Sequence, residues 1–311
     1  MSSPRFAFID IGTNTILCLI AELRDGGRFR VLDDLAEITR LGHGVDRTRL
    51  ISHEGEQRSS AVLRRYLEAC KTLGVGEVIA VGTSALRDAR NSFEVRQRWQ
   101  LELGLHVRVI GSDDEAAYSF LAAQRGLPLS RQELLVIDIG GGSTEFIRGN
   151  DSGVTHALSL DLGSVRLTER FLRSDPVSAE EFAAMSSAID RDLATLREHW
   201  RHLDVASTWV GTAGTFTTLA AVEKQLTRYS HSVVHGSNLT HVEVQRQVRL
   251  YRSKTLAERK TIPGLEPKRA DVILAGACLI DRMMILFGAR QLIVSDQGVR
   301  YGLLYECLDR R

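Results

Sequence analysis

Long apolar runs are missing from this chain. The longest late stretch, residues 273–280, is broken by Asp281 and Arg282, well short of the roughly 18 residues that a membrane span needs. An N-terminal secretory pattern is missing too, because Asp10 interrupts the first apolar stretch. These absences set the expectation of a cytoplasmic protein that does not act at a membrane. Cysteine is scarce: Cys18, Cys70, Cys278 and Cys307 are scattered through apolar or helical-looking runs with no CxxC spacing. They read as reduced, buried thiols rather than a disulfide or zinc framework. Net charge is almost nil, at +1, so nothing in the charge balance announces a nucleic acid. No G-x-S-x-G elbow supports a serine nucleophile. Lysine is nearly absent as well: of 40 Lys+Arg, only residues 71, 224, 254, 260 and 268 are lysine. Arginine suits bidentate phosphate recognition, although a GC-rich genome produces the same bias.

The chain does have a full complement of core-forming residues. It has 311 residues, 43% hydrophobic and 25% charged. That is an ordinary globular composition for about two domains of roughly 150 residues. It also has an internal repeat. Residues 8–15 (FIDIGTNT) recur as residues 136–144 (VIDIGGGST), with Asp10 and Asp138 lying 128 positions apart. Each copy reads as a β-branched strand, an aspartate, a glycine turn rich in small hydroxyl residues, and a second strand.

The pattern after each copy is also alike. After Asp10 it predicts strands at 15–22 and 29–39, a helix at 54–73 opened by Ser52 and closed by Gly74, a strand at 77–81, a helix at 92–103, a strand at 106–110 and a helix at 113–125. After Asp138 it predicts strands at 144–148 and 154–160, then a helix at 179–201 opened by Ser178 with Glu181 as a capping box. A strand ending at Val210, a helix, a strand at 291–294 and a final helix follow. Three strands and then alternating strands and helices indicate a mixed sheet covered by helices. Two such units predict two similar lobes with a cleft between them. The break falls near Gly126, Pro128 and Ser130, giving domains 1–126 and 127–311.

The second turn carries the clearest chemistry. Gly140, Gly141 and Gly142 are costly between two strands, but they let the backbone approach an anion and aim its amides at it. Ser143 and Thr144 add hydroxyl donors. Asp138 repels phosphate, so it suits a divalent cation or its water, with Glu145 as a second hard oxygen ligand. The first copy offers Gly12, Thr13 and Asn14. Two such turns facing each other would clamp a phosphate chain.

These stretches resemble the exopolyphosphatase/guanosine pentaphosphate phosphohydrolase (Ppx/GppA) family. The matching segments are residues 8–15, 40–44 (RLGHG), 82–91 (GTSALRDARN), 136–145, 162–169 (LGSVRLTE), 210–219 (VGTAGTFTTL) and 295–302 (SDQGVRYG). The resemblance covers nearly the whole chain. It implies an α/β fold of two tandem ribonuclease H-like domains, as in actin and sugar kinases, with an interdomain cleft. It also implies a catalytic glutamate at Glu115, in a run where Asp114 stands in place of the family's first glutamate. Ser112 and Glu115 also form a capping box by spacing, and the two roles are compatible. The resemblance further implies a substrate role for Arg87 at the mouth of the cleft, a phosphate contact at Arg166, and a divalent cation, Mg²⁺ or another, on Asp138, Glu145 and Asp10. The turn at residues 211–215 is a nucleotide contact in the wider superfamily and a structural relic otherwise. Larger members carry further helical domains. This chain ends at Arg311, in a helix expected to finish the second lobe, which leaves chain-length preference and processivity open.

The expected activity is exopolyphosphatase: hydrolysis of the terminal phosphoanhydride of polyphosphate. The alternatives are a guanosine pentaphosphate 5′-phosphohydrolase, a kinase-like phosphotransferase and a nucleotide-binding regulator. Oligomeric state, a homodimer included, stays open. Two further features have bland readings beside functional ones. Residues 245–269 hold Arg246, Arg249, Arg252, Lys254, Arg259, Lys260, Lys268 and Arg269, which read as a solvated helix face or as a positive rim for a polyanion. His231, His235 and His241 cluster in an apparent loop that does not call for zinc.

Overall fold

The computed structural model describes residues 3–129, 133–199 and 208–310. The chain divides into two compact units, residues 1–122 with 299–311, and residues 123–298. The first holds strands β1 (Arg5–Ile11), β2 (Thr15–Arg24) and β3 (Arg28–Ile38), then α1 (Val45–Thr48), α2 (His53–Thr72), β4 (Glu77–Gly82), α3 (Ser84–Asp88), α4 (Ser92–Leu103), β5 (Val107–Val109) and α5 (Ser112–Gly126). The second opens with β6 (Leu134–Ile139), β7 (Thr144–Asn150) and β8 (Gly153–Leu160). It continues through α6 (Ser164–Phe171), α7 (Ala179–His199), β9 (Thr208–Thr212), α8 (Ala213–Glu223), α9 (His231–Val234) and β10 (Asn238–Thr240). Helices α10 (His241–Arg252), α11 (Leu256–Arg259) and α12 (Ile273–Phe287) and strand β11 (Gln291–Val294) complete it. Helix α13 (Val299–Asp309) returns to the first unit.

The two sheets repeat one topology. The first runs β3-β2-β1-β4-β5 and the second β10-β11-β9-β6-β7-β8. In each, the first three strands are antiparallel, and the first strand pairs in parallel with the strand that follows the helical crossover. The repeat read from FIDIGTNT and VIDIGGGST is therefore a repeat of architecture. Its opening strands are central. Every residue of β6 is buried, as the apolar run of a strand covered on both faces requires. Strand β1 alternates its packing. Phe6 and Phe8 enter a cluster with Tyr118 of α5 and with Leu304 and Tyr305 of α13, whereas Ala7, Ile9 and Ile11 enter another with Leu63 and Tyr66 of α2 and Trp99 of α4. The second unit has one core, built on α12, whose residues 273–280 are all buried.

Local chemistry explains most boundaries. Ser52 caps α2 by accepting from the Gly55 amide, and α4 spans residues 92–103 as its pattern predicts. Two expectations are corrected. The final helix does not finish the second lobe: α13 packs on β1 and β2, so residues 299–311 leave the expected 127–311 domain, and the two units part after Ala122, within α5, ahead of the expected Gly126 break. Ser178 accepts from the Glu181 amide as the capping box predicts, and the Glu181 carboxylate also takes the Ser174 amide and hydroxyl. Cys18, Cys70 and Cys278 are buried, but Cys307 is half-buried. Ser130 and residues 200–201 of the expected helix lie outside the described residues. No helix among the described residues is long and apolar enough to cross a membrane.

Helix α13 is tied down by charge as well as apolar contact. Arg300 donates to both carboxylate oxygens of Asp34 in β3, at 2.8 and 3.0 Å, and Tyr301 donates to the same carboxylate. Both partners are buried, at 6% and 8% side-chain exposure. Removing one member of a buried pair strands the other charge. Arg300→Met is expected to destabilise the fold by about 3–5 kcal/mol, read as a fall in the urea midpoint; an unchanged midpoint would remove the pair from the fold's support.

Candidate active site

In the first unit β1, β4 and β5 run parallel, so their C-terminal ends share one sheet edge, where ligands of open α/β sheets bind. Each of those ends delivers an expected site residue. The turn with Gly12, Thr13 and Asn14 follows β1, Arg87 sits in α3 just after β4, and Glu115 sits in the first turn of α5, after β5. The structure joins the last two. Arg87 Nη1 donates to Glu115 Oε2 at 2.9 Å and to the Ile110 carbonyl at 3.1 Å. Glu115 is only 8% exposed, and the guanidinium is the charge partner that a buried carboxylate requires. The Ser112–Glu115 capping box is not the arrangement found. The helix starts at Ser112, the Glu115 amide donates to Gly111, and the carboxylate turns to Arg87.

The Gly12 amide closes its turn on the Thr15 carbonyl at 3.0 Å. The turn's own carbonyls are taken from behind. Asn14 O accepts from Thr39 N and Arg40 N, both at 3.0 Å, and Thr13 O accepts from Gly42 N at 2.9 Å. Gly42 is needed there, since a Cβ would fall 2.4 Å from Thr13 Cγ2. The Asn14 side-chain amide is buried, and neither of its polar atoms has a hydrogen-bond partner among the described residues. An orphaned buried amide next to such a turn suits a bound anion or an ordered water.

The second unit repeats the device. Strands β6, β9 and β11 run parallel, so Asp138, Thr212 and the segment after Val294 share an edge. Gly140 N closes on Ser143 O at 3.0 Å. Gly140 O accepts from Ser164 N, and Gly141 O accepts from Val165 N and Arg166 N. Among the described residues, the amides of Gly141 and Gly142, like those of Thr13 and Asn14, donate to no carbonyl. None of these glycines is left-handed. Gly12 and Gly140 serve close approach, since a Cβ would fall 3.1 Å from Thr15 O at the first and 3.2 Å from Ser143 O at the second.

Two residues expected as phosphate contacts bond within the protein. Thr144 is fully buried, and its hydroxyl donates to Leu162 O at 2.6 Å. Arg166 is 5% exposed, and its Nε donates to Gly142 O at 2.7 Å. Both hold the turn from within. Sequence reasoning missed Thr39, Gly42 and Gly163, although RLGHG and LGSVRLTE contain or adjoin them.

Asp138 and Glu145 stand opposite each other on β6 and β7, at 7% and 1% exposure. Ser159 donates to Glu145 at 2.9 Å. Two hard carboxylates facing each other in a buried site are the donor chemistry of a divalent cation that keeps several waters. The first copy differs, because Leu17 stands opposite Asp10. Among the described residues no group of three or more His, Cys, Asp or Glu gathers as a metal site.

Two of the three histidines meet at Asp296, and the third, His241, pairs elsewhere. His231, which opens a short helix rather than a loop, pairs with Asp296, His241 with Asp281, and His235 with Gly126 O and Asp296 N. The basic stretch is not a uniform rim either. Arg259 is buried against Ala270 O, Arg246 pairs with Glu223, and Arg252 lies over the Phe182 ring. Arg269 packs on Gly214 of the 211–215 turn.

The profile of the Ppx/GppA phosphatase family matches residues 19–311. The chain belongs to that family. It is 34% identical to exopolyphosphatase 2 of Mycobacterium tuberculosis, over 97% of this chain and 98% of that protein. It is 31% identical to the bifunctional 3-dehydroquinate synthase/phosphatase of Fusobacterium nucleatum, over 98% of this chain but 47% of that protein, so the chain spans about half of that relative. Among solved structures, the Ppx/GppA family member of Aquifex aeolicus is 33% identical with a TM-score of 0.81, over 99% of this chain and 98% of the other. An exopolyphosphatase from Cytophaga hutchinsonii is 29% identical with a TM-score of 0.91, over 98% of both. The fold is accordingly the family's α/β pair of actin-like domains, and this Ppx/GppA phosphatase is a phosphoanhydride hydrolase.

Thr144→Val keeps the side chain's shape and leaves the Leu162 carbonyl without its donor. The expected loss is about 1–3 kcal/mol, read from chemical unfolding. A raised KM at unchanged stability would return Thr144 to the substrate.

Proposed function

We propose that this Ppx/GppA phosphatase removes the terminal phosphoryl group of inorganic polyphosphate, releasing phosphate and a chain one unit shorter. The observation that carries the reading is the Arg87–Glu115 pair at the edge that also bears the Gly12 turn. A carboxylate held in one orientation suits taking a proton from an attacking water. A kinase would need an acceptor pocket instead. The relatives named exopolyphosphatase support the choice of substrate.

In this mechanism the outward amides of Thr13, Asn14, Gly141 and Gly142 bind phosphoryl oxygens, with the Asn14 amide and the Ser143 hydroxyl beside them. Arg87 orients Glu115 through one nitrogen and offers its other donors to the phosphoryl oxygens. Glu115 accepts the proton of the water that attacks phosphorus, and the shortened chain leaves with the bridging oxygen. Asp138 and Glu145 are the residues that would hold Mg²⁺, while Asp10 contributes a single carboxylate in the first unit. When bound, the ion neutralises charge on the phosphoryl oxygens.

The test is a panel of short polyphosphate, long polyphosphate, guanosine pentaphosphate and ATP, each with and without Mg²⁺. Polyphosphate is expected to be the best substrate; faster release from guanosine pentaphosphate would overturn that choice. Glu115→Gln is expected to lower kcat by about 10²–10⁴ with little change in affinity. Near-full turnover by this variant would remove Glu115 as the base. Asp138→Asn is expected to raise the Mg²⁺ concentration for half-maximal rate, because one hard anionic oxygen is lost. An unchanged Mg²⁺ dependence would take Asp138 out of the metal site.

A further inference from the structure

We propose that Arg166 is a positioning residue that locks the Gly140–Gly142 turn in its anion-binding form, and that it does not itself contact substrate. The inference rests on reading that turn as a phosphate cradle.

Three consecutive glycines have no side chains to hold them and more backbone freedom than any other sequence. Something outside the turn must therefore fix it. The structure shows a row of donors doing so. Ser164 N reaches Gly140 O at 3.1 Å, Val165 N and Arg166 N reach Gly141 O at 3.0 Å, and Arg166 Nε reaches Gly142 O at 2.7 Å. The first-turn amides of a helix are usually free to bind an anion. In α6 they are spent on the turn's carbonyls. With the carbonyls turned toward α6, the amides of Gly141 and Gly142 are left to the opposite side of the turn.

The first unit shows what Arg166 replaces. There the equivalent carbonyl, on Asn14, is held by two backbone amides, those of Thr39 and Arg40. In the second unit the Gly142 carbonyl is held by a side chain. Arg166 is 5% exposed, and Asp161, 3.6 Å from its Nη2, is 81% exposed. The approach is also sterically tight. A Cβ on Gly163 would fall 2.3 Å from Gly141 O and 2.5 Å from Gly142 N. Gly163 and Arg166 therefore act on the same turn, one through space and one through a hydrogen bond.

The test uses the full chain and four variants: Arg166→Met, Arg166→Lys, Gly163→Ala and Asp161→Asn. The readouts are phosphate release from tripolyphosphate across a salt series, and the shifts of the Gly141 and Gly142 amide resonances on titration with inorganic phosphate. Arg166→Met and Gly163→Ala are expected to lower kcat/KM by about 10²-fold, the scale of a misplaced binding group, and to abolish the phosphate-induced shifts. Arg166→Lys is expected to recover activity to within about tenfold of wild type, because it returns a side-chain donor to the Gly142 carbonyl, and Asp161→Asn to stay within about twofold, because Arg166 still reaches that carbonyl. The salt dependence should match wild type in every variant, because no charge facing substrate has been removed.

Wild-type kinetics in Arg166→Met would overturn the proposal. A flattened salt dependence in Arg166→Met with wild-type behaviour in Gly163→Ala would do so too, and would make Arg166 a direct phosphate contact. If Arg166→Met does not fold, Gly163→Ala decides: wild-type kinetics with intact phosphate-induced shifts in that variant would overturn the proposal. A wild-type chain that releases no phosphate from tripolyphosphate defeats the proposed activity. The amide titration then judges the lock separately, and an absence of shifts in the wild type would overturn it.

Discussion

A backbone carbonyl removed from water must find a donor, and the glycine turns of this protein depend on that requirement. Each turn ends a central strand and lacks the side chains that would orient it. In both units the segment following the third strand supplies the donors: residues 39–42 after β3, and residues 164–166 beyond β8. Once the carbonyls are captured on one side, the remaining amides have only the other side to address. An anion-binding surface thus follows from satisfying the opposite pole of the same peptide groups. Gly42 and Gly163 belong to this arrangement as firmly as the turn glycines do, since a Cβ at either would collide with the turn.

The buried charges follow a comparable logic. Glu115 stays near the sheet edge because Arg87 compensates it, and Arg87 keeps donors to spare. Asp34 takes Arg300 and Tyr301 in a pair that fastens the last helix. Asp138 and Glu145 are different. They are two carboxylates opposite one another on adjacent strands, a placement that like charges disfavour and a divalent cation would favour. The two copies have diverged at this point. The first copy keeps the aspartate but sets Leu17 opposite it, so the repeat supplies two similar turns but one pair of hard oxygen ligands.

Much of the architecture was legible in local patterns. Strands β1 and β6, helix α4 and strand β11 have strong periodicity or unambiguous ends, and their packing agrees with that local preference. The candidate site was legible as residue types: a strand-end aspartate, a glycine turn, and a glutamate opening a helix. The directions of side chains were not. Thr144 looks like a phosphate ligand by residue type, and Arg166 by the family resemblance, yet the Thr144 hydroxyl bonds Leu162 O and the Arg166 Nε bonds Gly142 O. Glu115 looks like half of a capping box until Arg87, 28 positions earlier, competes for its carboxylate. The basic residues of 245–269 look like one surface, but a guanidinium that finds a buried carbonyl or a neighbouring carboxylate turns away from it.

The sequence by itself determined the repeat, the family and the identity of the turn residues. These depend on strand propensity, on glycine's missing Cβ, and on contacts within a few positions along the chain. Tertiary structure alone decided which unit receives α13 and which carbonyls each turn surrenders. It also decided which carboxylates face each other and which arginines point inward. Those outcomes depend on pairings between residues tens to hundreds of positions apart, such as Asp34 with Arg300. No local pattern encodes such pairings, because the groups that need partners are buried only after the sheets have formed.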